Sequence, residues 1–77
     1  MDRDKLIIGS DRTLKLARQG KIKKMYLASN APEELRAEVE ILSKTLGIEV
    51  VYLEENSKQF GVRIGKPFTV LLAGESK

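Results

Sequence analysis

The 77-residue sequence contains no cysteine, no histidine and no tryptophan, only two prolines, and four aromatic residues in all. Without cysteine, neither a disulfide nor a thiolate-bound metal can staple the fold. Missing histidine and cysteine together remove the commonest general base, the commonest nucleophile and most zinc sites, which argues against an enzyme. The scarcity of aromatic side chains argues against a broad base-stacking surface for single-stranded nucleic acid. No apolar run approaches the length of a membrane span, and Met1-Asp2-Arg3-Asp4 is too charged to open a signal peptide; a soluble, cytoplasmic chain is the expectation. The glycines match neither a phosphate-binding Walker loop nor a dinucleotide fingerprint.

Charge is what the sequence has, and it is unevenly placed. Fourteen lysines and arginines against eleven acids give a net charge of +3. Residues 1–30 carry eight cations and three anions, residues 31–57 two cations and seven anions, and residues 58–77 four cations and one anion. Segregation of this kind suits one face attractive to a polyanion. The focus is Gly9-Ser10-Asp11-Arg12-Thr13-Leu14-Lys15, behind the apolar run Leu6-Ile7-Ile8. It reads as a strand that stops at glycine and turns directly into a helix, with Ser10 or Asp11 as cap. A helix start offers unpaired N–H groups and partial positive charge, and Gly9 lets a ligand approach the backbone. Arg12, Lys15, Arg18, Lys21, Lys23 and Lys24 follow within thirteen residues. An RNA or DNA backbone fits this stretch, and so does a plain capped helix with a solvated lysine face.

Along the chain, strands alternate with helices. A strand at 5–8 is followed by a helix at 11–19, stopped by Gly20. A second strand is expected at 22–29. Asn30-Ala31-Pro32-Glu33-Glu34 then has the makings of a helix start with Asn30 as cap. That helix carries Leu35, Val39, Leu42 and Leu46 as one apolar stripe and ends at Gly47. A third strand covers 48–53, and Asn56 or Ser57 caps a short helix at 58–64. A last strand is expected at 68–73, with Gly74-Glu75-Ser76-Lys77 as a polar tail. Such alternation predicts a single domain, residues 1–77, with its sheet covered on both faces: a three-layer α/β/α domain. Glu54 and Glu55 could hold a hard cation but read more simply as a solvated turn, as do the helix glutamates, so no metal and no cofactor is expected.

Four ordered segments resemble the kink-turn-binding ribosomal-protein superfamily, in its L-thirty-e and L-seven-Ae branch. They are Ile8-Gly9 with Thr13-Leu14-Lys15, then Arg18-Gln19-Gly20-Lys21 leading to Ala28-Ser29-Asn30, then Phe60-Gly61 with Gly65-Lys66, and finally Pro67-Phe68-Thr69-Val70. The resemblance implies an α/β/α sandwich with a mixed four-stranded sheet that grips a kinked helix of ribosomal RNA. It places Gly9 against the RNA backbone and Ser10, Asp11 and Arg12 toward base edges and phosphates, with Lys15 neutralising a phosphate. Asn30 becomes a polar contact beside the RNA, and Glu55-Asn56-Ser57 a specificity turn against a flipped-out nucleotide. Partners implied are structured RNA and neighbouring ribosomal proteins, on a cytoplasmic ribosome. The chain departs from the pattern in starting almost at the first strand, and in the negative charges of Asp11, Glu54 and Glu55. These charges and the acidic middle segment support a second reading, a protein-interaction module of the same fold without specific kink-turn readout. A third, a small phosphate-handling enzyme, rests on the helix start alone.

Overall fold

The computed structural model describes residues 5–77. Its elements run β1 (Leu6–Ile8), α1 (Ser10–Arg18), β2 (Ile22–Leu27), α2 (Glu33–Leu46), β3 (Glu49–Tyr52), α3 (Ser57–Arg63) and β4 (Leu72–Ser76). The strands form one mixed sheet in the order β1-β4-β2-β3, with β4 antiparallel to both neighbours and β2 parallel to β3.

Two cores lie on opposite faces of the sheet because strand side chains alternate. On one face Met25, Leu27 and Leu72 pack with Leu14 and Ala17 of α1 and Val39 of α2. On the other Tyr26 and Ala73 pack with Phe60 and Ile64 at α3, and with Val70. Three layers result. Phe60 is fully buried at the centre of the smaller core, a burial worth about 1.5–3 kcal/mol for a side chain of this class.

Several boundaries differ from the sequence-based expectation, each for a local reason. α1 starts at Ser10, and its cap is Gly9 with no side-chain cap bond from Ser10 or Asp11. Gly9 has φ +112°, open to glycine alone at low cost, and its carbonyl accepts from the Thr13 amide at 3.0 Å to close the first turn. α2 is preceded by Pro32 at its cap, so Asn30 does not cap it; Glu33 and Glu34 do occupy the first turn, complementing the helix dipole. Gly47 ends α2 in the left-handed conformation as expected. The α3 start is a capping box, in which Asn56 accepts from the Gln59 amide and the Gln59 side chain accepts from the Asn56 amide.

The largest correction concerns the last strand. It spans Leu72–Ser76 rather than 68–73, so the supposed polar tail occupies a central position in the sheet. A central strand must pair on both edges, and β4 does so with Ile8 opposite Ala73 and Leu27 opposite Leu72. Gly74 is there because α1 crosses directly over it: an added Cβ would lie 2.7 Å from Thr13 Cγ2 and 3.1 Å from Ile22 Cδ1. Glu75 is buried but pairs with Lys23 at 3.6 Å. β2 stops at Leu27, and β3 is shorter by one residue at each end than the expected 48–53.

Candidate nucleic-acid interface

Because β4 runs against its neighbours, the ends of β1, β2 and β3 and the start of β4 meet at one edge of the molecule. Backbone bonds lace the loops there together. The Gly9 amide donates to the Leu72 carbonyl at 3.2 Å, Ala28 to Leu71 at 2.8 Å, Val70 to Ser57 at 3.0 Å, and Ser29 to Glu55 at 2.9 Å. Asn30 adds a side-chain tie, accepting from the Ser57 amide at 2.8 Å and donating from Nδ2 to Ser57 Oγ at 3.0 Å. The stretches expected to touch RNA, separated by up to 48 positions in sequence, thus share one rigid rim.

A groove of about 830 Å³ opens at this rim between the β1–α1 turn and residues 66–71. One wall is Ile8, Gly9, Ser10 and Arg12; the other is Lys66, Phe68 and Thr69. An added Cβ on Gly9 would meet nothing within 4 Å, so the glycine serves the turn and leaves its backbone facing open space. Arg12 and Lys66 bring positive charge to both walls. Phe68 is 55% exposed, a large ring held out toward solvent beside two cations.

The nine expected site residues divide into three groups. Gly9, Ser10 and Arg12 line the groove, while Asp11 and Lys15 are exposed on the same first turns of α1 beside it. Asn30, Glu55, Asn56 and Ser57 stand behind it, joined through the Val70–Ser57 bond. Their polar groups are largely engaged: Asn30 with Ser57, Asn56 in the capping box, and Glu55 with Arg63. These four support the rim more than they line the groove. Lys66, Phe68 and Thr69 were not expected at a site, having been read as the approach to a strand and its beginning. Local pattern held no signal against a strand there, since Pro67 lies before the expected 68–73 and a proline is tolerated where a strand begins; pairing with two partner strands is what sets β4 at Leu72–Ser76.

Among the described residues no helix is long and apolar enough to cross a membrane. The architecture is that of a three-layer α/β/α module presenting a basic groove, with a glycine turn in one wall, at the loop end of a mixed sheet. The chain belongs to the ribosomal protein L7Ae/L30e/S12e/Gadd45 family, whose model matches residues 1–76. It is 40% identical over 70 residues to the large ribosomal subunit protein eL30 of Methanothermobacter thermautotrophicus, covering 91% of this chain and 71% of that protein. Identity is 37% to the eL30 of Methanocaldococcus jannaschii, over 91% of this chain and 64% of that one. The fold is shared with a 15.5 kD RNA binding protein of Giardia lamblia, at TM-score 0.84 and 19% identity over 96% of this chain and 62% of that one. A protein of unknown function from Bacillus halodurans superposes at TM-score 0.81 and 21% identity, over 96% of this chain and 73% of that chain. The eL30 relatives are structural ribosomal proteins and not enzymes, in line with a chain lacking histidine and cysteine.

Proposed function

We propose that this protein binds ribosomal RNA without catalysis, as a large-subunit ribosomal protein or paralogue, and recognises a kink-turn or similarly bent helix. The observation that carries this reading is the groove itself, with a bare glycine turn, Arg12, Lys66 and an exposed Phe68 converging on one rim. A distorted RNA helix exposes base edges that a regular A-form groove hides, and a concave rim with a protruding ring fits such a shape. Gly9 admits close backbone approach, Ser10 and Asp11 offer polar groups to base edges, and Arg12 and Lys15 meet phosphates. Asn30 and the 55–57 turn hold the opposite loop in place. The curated relatives named eL30 support the assignment to the ribosome, and with it a cytoplasmic location.

The test is a titration against a kink-turn RNA and a straight duplex of equal length, repeated across salt. A preference for the kinked RNA is expected, with affinity falling as salt rises. Lys15→Ala should cost roughly 1.5–3 kcal/mol, the worth of one charged hydrogen bond, and reduce the salt slope by about one. Equal binding of both RNAs would contradict kink-turn recognition and favour the protein-interaction reading.

A further inference from the structure

A second recess, about 240 Å³, lies at the opposite end of the sheet, where β2 and β3 begin. Its floor is Ile22 and Ile48, both buried, and one wall is Leu46, which is 45% exposed. Leu46 closes the apolar stripe of α2 as the last residue of the helix, and this last member stays partly uncovered. Two left-handed glycines, Gly20 and Gly47, form the remaining walls from backbone. Lys23 and Lys77 stand at the rim. The Lys77 amide donates to the Lys21 carbonyl at 3.1 Å, so a third lysine springs from adjacent backbone. Lys23 pairs with Glu75 but stays about half exposed, with donors left for another anion. The nearby end of α2 is satisfied internally, since the Ile48 amide donates to the Ser43 carbonyl and the Ser43 hydroxyl to the Ile48 carbonyl.

We propose that this recess docks a protein segment presenting one large apolar side chain flanked by acidic residues. The volume decides the first half. It falls below the roughly 300–1,000 Å³ of small-molecule pockets but suits a single side chain set against Ile22, Leu46 and Ile48. The lysine rim decides the second, by charge complementarity with acidic flanks. The site is at the far end of the sheet from the groove, so both can be filled at once. It does not depend on the RNA reading.

Amide NMR titration of the whole chain tests this with an acetylated Glu-Asp-Phe-Asp-Glu peptide and a control in which serine replaces phenylalanine. The phenylalanine peptide should shift the amides of Gly20, Ile22, Gly47 and Ile48. The serine control should bind about tenfold or more weakly, the worth of one buried aromatic side chain. Leu46→Glu, at an exposed position, should abolish those shifts, and Lys77→Glu should weaken binding several-fold. Both variants should keep the amide dispersion of the parent chain away from the recess, which verifies the fold. The proposal is overturned if the two peptides bind alike, if shifts centre on Arg12 and Lys15, or if no shift appears at saturating peptide. A straight RNA duplex that moves the same amides at lower concentration than the peptide would also overturn it.

Discussion

Asn30 makes two hydrogen bonds to one residue 27 positions further along the chain, and so ties the β2–α2 loop to the start of α3. Asn30→Ala would strip the Ser57 amide of its acceptor in a partly buried setting. A loss of about 1–3 kcal/mol in urea unfolding is expected, the cost of stranding a buried polar group. A loss near zero would show that water replaces the side chain. Lys24 is a second residue with a specific role. Its ammonium lies 3.4 Å from Glu49 Oε2 across the β2–β3 pair, and over the ring of Tyr26. The hydrogen bond to Glu49 leads the causes that raise its pKa above the ordinary 10.5, followed by the charge of Tyr26 at alkaline pH. A lysine whose folded pKa is raised contributes stability that is fully present below 10.5 and lost as pH climbs through the raised value. Glu49→Gln should therefore move the Lys24 titration back down and flatten the alkaline limb of the stability profile. NMR of the lysine ammonium groups and unfolding across about pH 9–12, the range around an ordinary lysine, check both.

At the level of elements, α3 and the 66–71 segment act as one unit. The backbone of Phe68 crosses α3 at Gly61, where an added Cβ would sit 2.1 Å from the Phe68 carbonyl oxygen. No flexible side chain is there to give way, so Gly61→Ala must shift the loop itself. A destabilisation of about 1–3 kcal/mol or more is expected, the range for forcing extra volume into a packed site. Loss of RNA affinity should accompany it, because the displaced loop carries Lys66 and Phe68. A variant destabilised in urea but unchanged in RNA titration would remove this wall from the interface. The elements also show what local pattern can and cannot reveal. The stripe Leu35, Val39 and Leu42 gave α2 its inward side, and Asn56 gave α3 its cap, because both signals act within one or two turns. β4 was displaced by about four residues because its place depends on two partner strands remote in sequence. Apolar content alone favours Phe68, whereas pairing on both edges favours Gly74 and Glu75.

The whole molecule keeps its charges apart. Basic α1 lies beside acidic α2, linked by the Arg18–Glu38 pair, and the groove opens at the start of α1. A ligand that binds only the folded state stabilises it by mass action. At a hundred times its dissociation constant, RNA should add about 2.7 kcal/mol. For a domain of this size that raises the melting temperature by roughly 10–20 °C. A straight duplex should give a smaller shift under the same conditions. Equal shifts would mean that net charge alone governs binding.

The alternation of strands and helices, the family, the basic turn at Gly9–Lys15 and the exclusion of histidine or cysteine chemistry were all legible in the residues alone. These are properties of composition and of patterns a few residues long. It took the folded chain to show that Gly9 rather than Ser10 or Asp11 caps α1, and that Asn30 serves Ser57 rather than α2. The fold also placed residues 66–69 opposite the glycine turn as the second wall of the groove. The Gly9 cap is a local choice, closed by the Thr13 amide, whereas the other two turn on a hydrogen bond or a close approach between segments distant in the chain. Such contacts exist only once the sheet has set its strand order.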